Sequence, residues 1–427
     1  MSRARIAPRG ALSGETKVPG DKSVTQRAIL LGALAPGVTR IRGANSGEDA
    51  RAALGIVRQL GARITASARD GILIHGGTLT ESDRVLDARN SGTALRLTTG
   101  LLAAQPFLSI VTGDASLRRR PVARVIEPLR ALGAELTARQ GDRLPPVVVR
   151  GRRLQGAAVV TSVPSAQVKS AVLLAGIQAD GVTSVREPAP TRDHTERMLP
   201  LFGVPVERDG PAARVRGPAE LHGAEIAVPG DFSAASFLLA AASIVRGSDV
   251  VLKGVGVNPT RTAFLDHLTR IGSSVERGNE QIASGEPISD LRVRAARLRG
   301  VRVAPEAVPR LIDELPLVAV LAAFAEGTTV VRGADELRVK ESDRVAAVTA
   351  GLRAIGIEVE EHADGWTIHG KGGRIRGGMV DAAGDHRVAM AFMIAGLASK
   401  DGVTVLGAEA ASVSDPGFLS RLRSLFH

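Results

Sequence analysis

The stretch VPGDKSVTQRAILLGALAPG, residues 18–37, joins two unlike halves. A Pro-Gly turn delivers Asp21, Lys22 and Ser23, Arg27 follows four positions after the serine, and the remainder is Ala/Leu filler. Asp21 is placed to cap a helix, and Ser23 and Arg27 share one of its faces. The free amide groups and partial positive charge of a helix start favour an anion. The filler is apolar nearly all round, which predicts a buried helix. Standing alone, the start reads as an anion site or as an ordinary capped terminus.

Recurrence favours the anion site. RNSGTALRLTTGLLAAQPFLSIVTG from Arg89 repeats the pattern of polar start, apolar helix, glycine and β-branched strand. So do PSAQVKSAVLLAGIQADGVTSVREP from Pro164, PGDFSAASFLLAAASIVRGSDVVLKG from Pro229, IDELPLVAVLAAFAEGTTVVRG from Ile312 and GDHRVAMAFMIAGLASKDGVTVLG from Gly384. With the first stretch that makes six copies, three before about residue 228 and three after it. Most are followed by a second helical pattern that ends in a glycine, as in EDARAALGIVRQLGARI, RRPVARVIEPLRALGAEL, TAFLDHLTRIGSSVE and SDRVAAVTAGLRAIGIEVE. The expectation is an α/β chain of two similar domains, with the polar helix starts lining a cleft between them.

Composition narrows the partner class. The chain has 427 residues and a net charge of +11, but aromatics are 2% and tyrosine is absent. Negatively charged partners follow, and small phosphorylated or carboxylated metabolites fit better than nucleic acid, whose unpaired bases need stacking platforms. There are no cysteines, so disulfides, thiolate metal sites and a cysteine nucleophile are excluded. No apolar run reaches membrane-span length and the N-terminus lacks an apolar signal core. The scattered histidines carry no metal-ligand spacing, and no nucleotide-binding glycine motif occurs. The chain is expected to be cytoplasmic, monomeric, and free of metal, cofactor, membrane and nucleic acid.

The polar starts supply the candidate residues. Asn90 and Ser91 can cap a helix, Gly92 lets a ligand approach the backbone, and Arg96 lies one turn on. Arg118, Arg119 and Arg120 precede Pro121, which reads as a first helical residue. PSAQVKS offers Ser165, Gln167 and Lys169, while TRDHTERM offers Arg192 and His194, the histidine reading as structural. Asp313 and Glu314 interrupt an apolar run, where a carboxylate needs a partner or a function. Lys340 and Arg344 stand at helical spacing around Glu341 and Asp343, and His386 and Arg387 open the last apolar helix.

PGDKSVTQRAILLGALA, NSGTALRL, RRRPV, SAQVKSAVLLAG, TRDHTE, IDELP, LRVKESDR and DHRVAM, in this order over nearly the whole chain, resemble the successive signatures of the EPSP synthase family, the shikimate-pathway carboxyvinyltransferases. The resemblance implies two domains of three βαβαββ repeats each, six in all, with buried helices in an inside-out α/β barrel. It assigns residues 22–228 to one domain and 1–21 plus 229–427 to the other, with the active site in the interdomain cleft. It implies attack of the 5-hydroxyl of shikimate 3-phosphate on phosphoenolpyruvate, followed by loss of phosphate from a tetrahedral intermediate, without a cofactor.

Residue by residue, the resemblance places Lys22, Ser23, Arg27, Ser165, Ala166, Gln167, Arg192, Asp313 and Lys340 at shikimate 3-phosphate. Lys22, Gly92, Arg120, Gln167, Arg344 and Arg387 fall at phosphoenolpyruvate. Asp313 is implied as the base and Glu341 as a proton donor or relay, with Lys22 also catalytic. Two features depart from family patterns. AASVSDPGF offers serine and valine where some members carry a phosphoenolpyruvate-contacting lysine. Gly92 stands where glyphosate-tolerant members can have alanine, so room for that inhibitor is expected. Two alternatives remain: the same transfer onto UDP-N-acetylglucosamine, against which stand Lys22-Ser23 and the missing cysteine, and an RNA-end-processing or RNA-binding protein of related fold.

Overall fold

The computed structural model describes residues 2–67 and 71–426. The fold is mixed α/β, and it divides into two compact units. One holds the chain up to Pro19, Gly230–Gln281 and everything from Pro287 onward; the other holds Gly20–Pro229 and Ile282–Glu286. Each unit has its own hydrophobic core. The two Pro-Gly-Asp turns lie where the chain passes from one unit to the other.

Among the described residues, six helices are buried on nearly every side. Lys22–Leu34, Gly92–Leu102 and Ala166–Gly176 belong to one unit, and Phe232–Ile244, Leu315–Phe324 and His386–Ala398 to the other. Their Ala/Leu content suits helix formation and leaves no polar face to turn outward. Four start at a side-chain cap: Asp21 accepts from the Val24 amide, Ser91 from Ala94, Asp231 from Ser233 and Ala234, and Asp385 from Arg387 and Val388. Small residues set the packing distance. A Cβ on Gly100 would lie 2.3 Å from the Ala171 carbonyl oxygen, so Gly92–Leu102 and Ala166–Gly176 meet backbone to backbone. That contact brings their starts side by side.

Among the described residues the strands form six small sheets, three in each unit. Three of them share one direction pattern: a lead strand parallel to its neighbour, then two antiparallel pairings. In two sheets the lead strand comes from a remote part of the sequence. Glu225–Ala227 runs parallel to Gly37–Arg42, and Ser13–Lys17 parallel to Asp249–Gly256. The shorter second helices end as the glycine spacing predicts; Gly133 and Gly356 follow them at φ 87° and 85°, where a side chain would be strained. Among the described residues, no helix is long and apolar enough to cross a membrane.

Two local expectations are corrected. Pro121 does not begin a helix; the helix is Ala123–Arg130, and the Pro121 carbonyl accepts from Arg96 Nη2 at 2.9 Å instead. Lys340 and Arg344 do not share a helix face. Asp343 caps a helix that begins only at Arg344, while Lys340 ends the 3-10 turn Asp335–Val339.

Candidate active site

In the unit containing Gly20–Pro229, side chains tie three helix starts together. Gln26 Nε2 donates to the capping Ser91 Oγ at 2.8 Å. Arg96, buried one turn into its helix, donates through Nη1 to Gln167 Oε1 at 2.9 Å and to the Gly92 carbonyl at 3.1 Å. Gln167 Nε2 donates to Thr93 Oγ1 at 2.9 Å. Gly92 sits under this arch, and a Cβ there would lie 2.6 Å from Arg96 Nη1 and 3.6 Å from Arg120 Nη1.

Arg27 is 3% exposed and makes three hydrogen bonds, to Thr195 Oγ1 at 2.8 Å, Ser170 Oγ at 2.8 Å and the Ser23 carbonyl at 3.0 Å. Burial lowers its pKa to about 10; Glu196 and Asp21 oppose that shift and Arg192 adds to it. Lys22 Nζ lies 2.7 Å from Asp49. Of the three consecutive arginines, Arg120 is the buried one. It donates to the Asn90 side-chain oxygen at 2.5 Å and to Ser116 Oγ at 3.2 Å, while Arg118 and Arg119 are exposed. Ser91, not Asn90, is the cap; Asn90 instead bridges Arg120 and Asp114. Ser165, Ala166 and Gln167 stand half-buried at the third helix start. His194 is structural, buried with Nδ1 2.7 Å from Glu286.

The other unit carries a cluster of alternating charge. Arg344, 1% exposed, donates through Nε to Asp385 Oδ2 at 2.7 Å and through Nη2 to Glu341 Oε2 at 2.5 Å. Its Nη1 has no hydrogen-bond partner among the described residues and lies 4.0 Å from Asp313 Oδ1. Arg387 donates to the Asp313 carbonyl at 2.9 Å, with Nη2 3.5 Å from the Asp313 carboxylate and Nη1 3.7 Å from Glu314. Glu314 accepts from Ser233 Oγ at 2.5 Å, and Ser233 accepts in turn from Arg261. Burial opposes the Arg344 charge, but Asp385 and Glu341 outweigh it and hold the guanidinium above its ordinary range. Burial likewise works to raise Asp385, and Arg344 holds it below the usual carboxylate value. Lys340 donates to Glu336 at 2.7 Å; burial pushes its ammonium down, against Glu336 and Asp313.

Thus Asp313, Glu341, Lys340, Arg344 and Arg387 form one neighbourhood, and Ser23, Arg27, Gly92, Arg120 and Gln167 belong to a second. Sequence reasoning passed over Asp385, although an Asp immediately before an apolar helix is the same signal that marked Asp21. It also gave no partners for Lys169. In the AASVSDPGF segment the nearby cation, Arg421, is bound to Asp415. Among the described residues no group of three His, Cys, Asp or Glu side chains is placed to hold a metal.

Comparison with known proteins shows the family. The family model described as EPSP synthase (3-phosphoshikimate 1-carboxyvinyltransferase) matches residues 6–422. A 3-phosphoshikimate 1-carboxyvinyltransferase of Acidithiobacillus ferrooxidans is 48% identical over 421 residues, covering 98% of this chain and 96% of the relative. One of Geobacter sulfurreducens is 49% identical over 419 residues, covering 97% of each. The EPSP synthase structure of Acinetobacter baumannii superposes with a TM-score of 0.88 at 42% identity, over 99% of this chain and 98% of that one.

Proposed function

The chain belongs to the EPSP synthase family and has its activity, transfer of the carboxyvinyl group of phosphoenolpyruvate to shikimate 3-phosphate in the shikimate pathway, and we propose the following division of labour among its residues. Lys22, Ser23, Arg27, Ser165, Ala166, Gln167 and Arg192 receive shikimate 3-phosphate, with Lys340 on its ring side. Lys22, Gly92, Arg120, Gln167, Arg344 and Arg387 receive phosphoenolpyruvate. Two polyanions repel each other in water, so converging cations and helix starts are the main requirement for bringing them into reaction.

Asp313 removes the proton of the 5-hydroxyl as its oxygen attacks C2 of phosphoenolpyruvate. Glu341 delivers a proton to the methylene carbon, and a tetrahedral adduct forms. Loss of phosphate, with Lys22 helping to carry the departing charge, together with return of a proton from the new methyl group to Glu341, then gives the enol ether. Arg344 links the acid and the base: it donates to Glu341 while its Nη1 faces Asp313 at 4.0 Å. The observation that carries the reading is that Nη1 donor, buried and without a hydrogen-bond partner among the described residues, because a buried N–H of this kind is costly unless an acceptor arrives.

The repeat order strand–helix–strand–helix–hairpin, with helices inside and sheets outside in each unit, completes the architectural reading as an inside-out α/β barrel. A monomer in the cytoplasm suits substrates too highly charged to cross a membrane unaided. The test is phosphate release from phosphoenolpyruvate with shikimate 3-phosphate as acceptor and UDP-N-acetylglucosamine as control. Release with the first acceptor alone is expected. Release with the second alone would overturn the reading.

A further inference from the structure

We propose that Lys169 is a positioning residue for shikimate 3-phosphate, holding the groups that bind the phosphate without touching it. The inference rests on the assignment of Ser165, Arg192 and Arg27 given above. Lys169 lies one turn into the Ala166–Gly176 helix and is 4% exposed. Its Nζ is 2.7 Å from Glu187 Oε2 and 2.8 Å from Glu196 Oε1, and both carboxylates are buried. Burial works to discharge the lysine, but Glu196 and Glu187 together raise its pKa above the ordinary value.

Each carboxylate then reaches a phosphate group's neighbour. Glu187 Oε1 accepts from the Ser165 amide at 3.2 Å and from Thr191 Oγ1 at 2.6 Å, which ties down the helix start and the residue before Arg192. Glu196 adjoins Thr195, whose hydroxyl accepts from Arg27 Nε at 2.8 Å and lies 2.7 Å from Ser170 Oγ. Ser170 also accepts from Arg27 Nη2. Two rungs therefore join the Ala166–Gly176 helix to the His194–Met198 helix: Lys169 to Glu196, and Ser170 to Thr195. Arg27 is hydrogen-bonded to both residues of the second rung.

Charge gives the lysine a second task. Without it, two buried carboxylates would lose their shared counter-ion beside the groups assigned to a phosphate, and like charges in a poorly screened interior repel strongly. With it, Lys169 and Arg27 balance Glu187 and Glu196. The segments SAQVKS, REP and RDHTE, distant in sequence, are in this sense one device.

The test compares Lys169→Met, Lys169→Arg, Glu196→Gln and Arg27→Ala with the unaltered full-length protein. Thermal melting checks folding; calorimetry gives shikimate 3-phosphate binding, and steady-state kinetics give kcat and the KM for phosphoenolpyruvate. Folded Lys169→Met is expected to bind shikimate 3-phosphate about tenfold more weakly or worse, with KM for phosphoenolpyruvate changed less than about threefold, and Lys169→Arg should recover most of the loss. If Lys169→Met does not fold, Glu196→Gln carries the test and should weaken shikimate 3-phosphate binding about threefold or more, again sparing phosphoenolpyruvate. Unchanged binding in whichever variant carries the test overturns the proposal, as does an equal loss in every parameter. Arg27→Ala separates the two levels. If it binds normally, the phosphate-site assignment falls and the inference with it; if it binds weakly while Lys169→Met binds normally, the inference alone falls.

Discussion

The hydrogen bonds described for the candidate-site arginines go to different kinds of acceptor in the two units. In the Gly20–Pro229 unit, the hydrogen bonds described for Arg27, Arg96 and Arg120 go to hydroxyls, amide oxygens and backbone carbonyls. In the other unit, Arg344 rests on Asp385 and Glu341, and Arg387 lies against Asp313 and Glu314. A neutral acceptor orients a guanidinium and leaves its charge available to an arriving anion. A carboxylate spends that charge internally, and it is itself fixed in place. The first arrangement suits a receptor for phosphate and carboxylate; the second suits proton transfer. Variants of Asp313 and Glu341 should therefore chiefly lower turnover, and variants of Arg27, Arg96 and Arg120 should chiefly weaken binding.

The largest effect is expected at Asp313. Asp313→Ala should reduce phosphate release by about a thousandfold, the middle of the range for removing a general base, while thermal melting shows the fold intact. Loss of affinity with turnover preserved would reverse the roles given to the two units.

Arg27→Ala comes next. Removal of a charged donor from a phosphate is expected to raise the KM for shikimate 3-phosphate by about 10- to 100-fold, with a smaller change in kcat. A kcat effect as large as that of Asp313→Ala would break the comparison from the other side.

Gly92→Ala sharpens the receptor half. The methyl would lie 2.6 Å from Arg96 Nη1, and that guanidinium is pinned by Gln167 and the Pro121 carbonyl, each at 2.9 Å. The first consequence is therefore displacement of Arg96 and Gln167, before any crowding of a bound inhibitor. KM for phosphoenolpyruvate is expected to rise about tenfold, about 1.4 kcal/mol, with glyphosate inhibition weakened in parallel. Normal phosphoenolpyruvate kinetics with weakened inhibition would show that the methyl acts on the inhibitor alone.

These differences between the units were only half legible in the sequence. Helix starts were readable because a cap is local chemistry: Asp21, Ser91 and Asp231 act within three residues of themselves. Buried helices were readable because an Ala/Leu segment without a polar face has nowhere else to go. Acceptors were not readable. Lys169 finds Glu187 and Glu196 only through the packing of two helices, and Arg96 finds Gln167 only because Gly100 admits the Ala171 backbone. Pro121 failed as a helix start for the same reason, since its carbonyl answers a side chain from another helix. Lys340 and Arg344 showed helical spacing, but the cap at Asp343 cut the spacing in two. The remote lead strands Glu225–Ala227 and Ser13–Lys17 likewise carry no local mark of the sheets they join.

The smallest effect is one of pH, and its sign differs between the units. Asp385 has a folded pKa held below its ordinary 3.8 by Arg344, although burial works to raise it. Its contribution to stability is therefore complete at neutral pH and is lost as pH falls below that ordinary value through the folded one. Asp385→Asn keeps an oxygen for capping the His386–Ala398 helix but removes the charge. The variant should be less stable at neutral pH, and its loss of stability below about pH 4 should be shallower by up to about 1.4 kcal/mol per pH unit. Arg27 runs the other way. Burial lowers it from the ordinary arginine value to about 10, so the unfolded chain binds the extra proton between the two and stability gains as pH rises above about 10. At neutral pH the charge of Arg27 is thus kept at a cost to the fold, while that of Asp385 supports it. Denaturation curves of the unaltered protein and Asp385→Asn from pH 3 to 7 test the second half of this contrast, and parallel curves would remove Asp385 from the account of why the proton-transfer unit holds together.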